Sequence, residues 1–322
     1  MIGRRQLLKF ATACAVSGMV RMGAAAAAAA TRASRLLLVH GRGQEGQDPA
    51  LLKSEWIDAL NRGAGKLDLA LPGGIDVAFP YYGDTLDNYA RQLDIPLTSD
   101  IQTRGGRGDD EFLAFQAEFA DAVRQSAGIT DDQVDAEYGP NPKPRGPLNW
   151  EWVQAILSAI DKHGGGMGQK TLEIFTRDVF LYTTRAGVRN EIDAIVASEI
   201  TEEPTVVVGH SLGTVVSYSI LSSDRRRLRV PLYLTVGSPL GVRSVRDQFR
   251  PLRFPRPVED WYNAFDDRDV VALYPLDAAN FPVQPSIEND GAVKNHTDNR
   301  HGIVGYLDDP TVAKRILGAL VS

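Results

Sequence analysis

Cysteine is nearly missing from the 322 residues, since Cys14 is the only one. Beyond it there can be no disulfide framework, no thiolate metal site and no thiol nucleophile. Long apolar runs are scarce as well. Phe10 to Val20 is apolar, but it is short for a membrane-spanning helix and Arg21 interrupts it. An excess of positive charge is also lacking. The formal net charge is −6, and residues 1–30 hold Arg4, Arg5, Lys9 and Arg21 but no acid, which leaves −10 on the rest. So acidic a chain is a poor general partner for nucleic acid. No internal repeat and no interdomain linker interrupts residues 31–322. Hydrophobic residues make up 43% and charged residues 24%, so a packed globular core is expected rather than disorder.

The first thirty residues are a different kind of sequence. Gly3-Arg4-Arg5-Gln6-Leu7-Leu8-Lys9 leads into an apolar, alanine-rich run ending at Ala30. This resembles a twin-arginine export signal, with small-residue cleavage sites between Gly23 and Ala30. The implied organisation is a signal over 1–30 and one domain over 31–322. The implied partner is the twin-arginine export machinery. The implied location is periplasmic or extracellular, or membrane-anchored if the signal stays on. Ala11-Thr12-Ala13 ahead of Cys14 is only a weak lipid-attachment site.

Five segments read as strands. Leu36-Leu37-Leu38-Val39 is a continuous apolar run, and Ile75 to Tyr82, Thr205 to Val208, Leu232 to Val236 and Asp260 to Phe265 follow. Between them lie helical patterns. Leu52, Trp56 and Leu60 recur every four residues after Asp48 as N-cap and Pro49 as first helical residue. Phe112, Phe115, Phe119 and Val123 form one face of a second helix. Trp150 to Ile160 reads as a third, Lys170 to Ile200 as one long crossover helix, and Pro310 to Leu320 as the last. Asp131, Asp132, Asp135 and Glu137 lack the spacing of a calcium loop and read as a solvated loop. Arg225-Arg226-Arg227-Leu228-Arg229 fits a membrane contact, but is read as an exposed helix end. The alternation argues an α/β fold: a mainly parallel central sheet with helices on both faces. Residues 84–168 carry no strand signal and read as a helical insertion that could shade a site.

One stretch organises the chain. Val206-Val207-Val208 runs into Gly209-His210-Ser211-Leu212-Gly213, and an apolar helix pattern follows to Leu221. Strand, sharp turn and helix are the context of a nucleophile elbow. A serine at the apex is held in a strained conformation with its hydroxyl lifted above the sheet edge. The glycines two before and two after it avoid collision at the crossing. The first strand ends at His40-Gly41-Arg42-Gly43-Gln44-Glu45-Gly46, which also spells the dinucleotide pattern G-x-G-x-x-G. That pattern should open directly into a helix and meet an acid about 20 residues on. Here the helix starts only after Asp48, and Asp68 and Asp76 come too late. An oxyanion-binding loop fits better.

A serine hydroxyl needs a base, and the base needs an acid to hold it. Downstream of Ser211 the only histidines are His296 and His301. Asp266, Asp267 and Asp269 all follow the last strand closely enough to serve as acid. Taken together, the Ser211 motif, the His40-Gly41 loop, Asn263-x-x-Asp266-x-x-Asp269-Val270, and His301 ahead of Gly305-Tyr306-Leu307 resemble the α/β-hydrolase superfamily. The likeness is greatest to bacterial lipase- or esterase-like serine hydrolases, and it covers residues 35–82 and 170–320. It implies an α/β-hydrolase fold and a small-molecule or lipid ester as substrate. It implies Ser211, His301 and Asp269 as the catalytic triad, and backbone N–H groups of Leu212 and Arg42 as the oxyanion hole. No metal or organic cofactor is implied. The gap from His301 to Tyr306 is longer than the family pattern has. Two readings from other classes stand beside this one: an exported binding protein without catalysis, and a dinucleotide-dependent oxidoreductase.

Overall fold

The computed structural model describes residues 32–100, 110–139, 146–164 and 168–320. The proposed signal peptide lies outside the described residues. Six strands form one sheet: β1 (Arg35–Val39), β2 (Asp76–Ala78), β3 (Thr205–His210), β4 (Tyr233–Val236), β5 (Trp261–Ala264) and β6 (Glu288–Asp290). Their order is β2-β1-β3-β4-β5-β6, and every neighbouring pair is parallel. The helices among the described residues are α1 (Pro49–Gly65), α2 (Gly83–Leu93), α3 (Asp110–Ser126), α4 (Asp131–Tyr138), α5 (Trp150–His163), α6 (Gln169–Thr184), α7 (Ala186–Ser198), α8 (Leu212–Ser223), α9 (Arg243–Arg246), α10 (Ile303–Leu307) and α11 (Pro310–Ala319). None of them is long and apolar enough to cross a membrane.

The central strands are mostly apolar and buried along nearly their whole length because both faces of the sheet are covered. Leu37, Val39, Val207, Tyr233 and Trp261 join one core, together with residues of α3, α5, α6, α7 and α8. Leu36, Leu38, Val206, Val208, Leu234 and Tyr262 join the other, with Trp56 and Leu60 of α1 and Val312 and Ile316 of α11. Adjacent residues of a strand therefore serve opposite layers.

The chain order decides where a site can form. From β1 the chain passes through α1 to β2 on one side, and the later strands β3 to β6 build out on the other. Loops leaving the carboxyl ends of β1 and β3 thus diverge, and a crevice at that edge is the expected ligand position in an open parallel sheet.

Several expectations need correction. The long crossover helix is two helices, α6 and α7, broken at Arg185, whose backbone is extended (φ −100°, ψ 101°). Thr183 and Thr184 just before the break donate their hydroxyls to the Val179 and Phe180 carbonyls, which weakens helix continuation there. The acidic stretch at 131–137 is helix α4 rather than a loop. Thr130 and Gln133 form a capping box, and Asp131 and Asp132 sit in the first turn, where the helix dipole favours acids. Strand β2 is shorter than its apolar run, ending before Pro80. Strand β6 lies in a stretch that reads as polar turns. Its Asn289 accepts from Asn263 Nδ2 (2.9 Å) and from the Leu276 N–H (2.7 Å), so side-chain hydrogen bonds hold a strand that lacks apolar alternation. Arg226 of the basic run folds back onto Asp224 and donates to the Ile200 carbonyl at the end of α7.

Helix α1 crosses α10 where there is no room for a side chain. A Cβ at Gly63 would lie 2.5 Å from the Leu307 carbonyl oxygen, whereas nothing lies within 4 Å of one at Gly65. Alanine normally gains up to about 1 kcal/mol over glycine in a helix. Gly63→Ala is therefore expected to lower the thermal midpoint and Gly65→Ala to hold or raise it. Equal effects of the two in a melting experiment would contradict this packing.

Candidate active site

Ser211 sits between β3 and α8 with φ +55° and ψ −126°, a conformation costing on the order of 1–3 kcal/mol for a residue with a side chain. Its surroundings enforce the strain. The Ser211 N–H still donates to the Val236 carbonyl (3.1 Å), so the strand ladder extends one residue past β3. One turn later, the Thr214 N–H and hydroxyl both donate to the Ser211 carbonyl, at 2.9 and 2.7 Å. Gly213 lies against the end of β1, where a Cβ would meet the Val39 carbonyl oxygen at 2.1 Å. Gly209 lies against the start of α8, where a Cβ would meet the Gly213 carbonyl oxygen at 2.9 Å. Both glycines flanking the serine are thus required by backbone crossing rather than by their own dihedrals.

The structure brings Ser211, His301 and Asp269 together. His301 Nε2 is 2.9 Å from Ser211 Oγ, and its Nδ1 is 2.8 Å from Asp269 Oδ2. An ionised carboxylate only accepts, so Nδ1 carries the proton and Nε2 presents its lone pair to the serine hydroxyl. All three residues are buried: Ser211 is 2% exposed, Asp269 2% and His301 8%. Burial pushes the Asp269 carboxyl up, but His301, the Tyr306 hydroxyl and the Val271 N–H together hold it below the usual carboxylate value. Tyr306 Oη donates to Asp269 Oδ2 at 2.6 Å, and the Val271 N–H to Oδ1 at 2.8 Å. Nothing in the sequence marks Tyr306 for this role. Tyr306 lies in α10, five positions after His301, and reaches Asp269 from there.

The alternative candidates lie elsewhere. His296 is on the surface, paired through Nε2 with Asp308 at 2.6 Å. Asp266 is buried and accepts from the N–H groups of Arg268 (2.8 Å) and Asn295 (2.7 Å). It anchors the loop that carries His301. Asn295 continues that anchor, donating from Nδ2 to the Gly302 carbonyl at 2.8 Å next to His301. Nothing in the sequence around Asn295 marks it for this role. Asp267 is exposed and pairs with Lys294 at 3.3 Å.

The two oxyanion candidates sit on either side of the serine. Leu212 is the first residue of α8, so its N–H has no helical acceptor. Gly41 presses on the serine from the β1 loop: a Cβ there would be 2.9 Å from Ser211 Cβ and 3.4 Å from Oγ. That contact sets the 41–42 peptide beside the hydroxyl. The Arg42 side chain is tied to buried Asp178 of α6 at 2.8 Å, with Arg177 at 3.3 Å on the other carboxylate oxygen. Burial is the main influence on Asp178 and raises its carboxyl, against the pull of both arginines. Tyr81 clamps the far end of the loop, its hydroxyl 2.5 Å from the Gln44 carbonyl and 2.9 Å from Asp84. The wall at His301 is aromatic. Phe175 meets its ring edge-on at 6.4 Å and continues to Phe119. A cavity of about 270 Å³ is lined by Val123, Val270 and Leu273 and by the chain at Asp269.

The dinucleotide reading meets a specific obstacle. The anion position at the N-terminus of α1 is filled by the chain's own Asp48, whose carboxylate accepts from the Ala50 N–H at 2.8 Å. Among the described residues no group of three or more His, Cys, Asp or Glu converges as a metal site. No protein-family model matches the chain, and no curated protein matches it.

Two further histidines flank the site as neutral groups. His40 Nδ1 donates to the Gly41 carbonyl (2.6 Å) and Nε2 accepts from the Tyr82 N–H (3.1 Å), while its ring stacks on Tyr82 at 4.1 Å. Burial lowers its pKa to about 4. His210 Nε2 donates to the His301 carbonyl at 2.7 Å, and burial followed by the nearby His301 lowers its pKa to about 3. The unfolded chain protonates both near 6.5 and the folded chain does not, so stability is full above that pH and drops as pH falls toward 4. Each imidazole contributes up to about 1.4 kcal/mol per pH unit in that window. Denaturant titrations at pH 7 and pH 5 should therefore show lower stability at pH 5, and a smaller loss in His40→Gln. No loss between the two pH values would contradict the buried neutral assignment.

Proposed function

We propose that the protein is a serine hydrolase cleaving carboxylic esters, an esterase or lipase-like enzyme of the α/β-hydrolase superfamily. The observation that carries the reading is the unbroken chain from Ser211 Oγ through His301 to Asp269, at 2.9 and 2.8 Å. A strained serine, an imidazole with its lone pair facing it and an ionised acid behind are the parts acyl transfer needs.

In the proposed reaction His301 Nε2 takes the Ser211 proton as Oγ attacks the ester carbonyl carbon. Asp269 stabilises the imidazolium that forms. The N–H groups of Leu212 and Arg42 receive the oxyanion, a donor of this kind contributing on the order of 3 kcal/mol to the barrier. His301 then returns the proton to the departing alcohol. Water, deprotonated by the same nitrogen, releases the acid from Ser211. We further propose export by the twin-arginine route, on the Arg4-Arg5 segment.

A chain-length series of p-nitrophenyl esters tests the activity. The purified protein should hydrolyse at least one member, and Ser211→Ala should lower kcat by at least about 10³-fold while the fold is kept. Undiminished turnover in that variant, or inertness of the parent across the series, would remove the assignment. For export, the mature N-terminus recovered from a bacterial periplasm should fall between Gly23 and Ala30. Intact Met1 on all exported protein would exclude cleavage.

A further inference from the structure

A cavity of about 820 Å³ lies between α7, the carboxyl half of α8 and the segment 249–256. It is far from the serine: Ser222 on its wall is about 16 Å along α8 from Ser211 at 1.5 Å per residue. Four arginines line it, Arg189, Arg225, Arg253 and Arg256. Among the described residues none of the four has a carboxylate within ion-pair distance, and Arg189 donates only to the Thr183 carbonyl. Other arginines on this acidic chain do have acid partners, such as Arg35 with Asp76, Arg243 with Glu118, and Arg315 with Asp260.

The two acids on the cavity wall do not neutralise the cluster. Asp224 is taken by Arg226 at 2.6 Å. Asp193 accepts from the Tyr182 hydroxyl (2.5 Å) and the Ser219 hydroxyl (3.1 Å), and burial raises its carboxyl. Arg189 shares the wall with Asp193, whose charged form it favours, whereas Arg225, Arg253 and Arg256 line the same space with no ion pair of their own among the described residues. Guanidinium forks match the oxygens of a phosphate in pairs, and such charge-assisted bonds are about twice as strong as neutral ones. The volume is that of an ordinary small-molecule site. A second cavity, of about 430 Å³, shares Arg253 and Phe254 and adds Leu252, Pro282 and Val283 as an apolar wall.

We propose that these joined cavities bind a phosphate ester that carries an apolar group. The phosphate lies among Arg225, Arg253 and Arg256 and the apolar part along Leu252, Phe254, Pro282 and Val283. This site is separate from the serine and does not depend on the hydrolase reading. The ligand could be supplied as a lipid headgroup or as a soluble phosphate ester, which share this chemistry.

Calorimetric titration of the full chain with octyl phosphate, inorganic phosphate and octyl glucoside tests the site. Octyl phosphate is expected to bind most tightly and to weaken as salt is raised. Arg253→Glu with Arg256→Glu should weaken it by about tenfold or more, and Arg225→Gln by less. These side chains are exposed, so folding should survive, as an unchanged melting temperature would show. Co-sedimentation with phosphatidylcholine vesicles containing phosphatidic acid separates the sources. Vesicle binding lost in the double variant supports a lipid headgroup, and soluble binding alone supports a free ester. Absence of octyl phosphate binding, equal affinity for octyl glucoside, or unchanged affinity in the double variant would overturn the proposal.

Discussion

The structure depends on one crossing of backbones, where the first turn of α8 passes the carboxyl end of β1. At Gly213 the space left for a side-chain carbon ends 2.1 Å from the Val39 carbonyl oxygen. So close an approach fixes both the axis of α8 and the sharpness of the turn that precedes it. The turn in turn forces Ser211 into positive φ and lifts its hydroxyl to the edge where the loops of β1 and β3 part. Its cost is met by two buried cores, which hold β1, β3 and α8 from both faces.

Around that fixed point the remaining groups are set by a second layer of hydrogen bonds. Asp266 and Asn295 shape the loop so that His301 reaches the serine, and Tyr306 and Val271 hold the acid behind it. Gly237 at φ +58° clears the other side of the imidazole, since a Cβ there would lie 3.1 Å from His301 Cε1. His40 and His210 are close to the same centre but are kept neutral by burial. Only one imidazole near Ser211 therefore has a carboxylate on its far nitrogen.

Much of this was legible from residues in order. Short apolar runs pointed to five of the strands, and Asp48-Pro49 to the start of α1, because those signals are local. The order serine, acid, histidine along the chain and the resemblance pointed to the three residues that meet. What was not legible depends on contacts distant in sequence. Strand β6 has polar residues whose partners are Asn263 and Leu276, so no alternation announces it. The roles of Tyr306 and Asn295 follow from a fold-back of the C-terminal segment beneath β5, and the Arg42–Asp178 pair joins positions 136 apart. The capping box at Thr130 and Gln133 is local, but the acidic run beside it has the composition of a solvated loop, and that composition masks the helix start.

The activation of Ser211 is tested most directly by treating the folded protein with a small fluorophosphonate and mapping the adduct by mass spectrometry. A single phosphonylated residue, Ser211, with labelling lost when His301 is replaced by glutamine, is the expected result. Absence of any adduct on the folded protein, or an adduct on another serine at the same rate, would contradict a serine poised by His301 and Asp269.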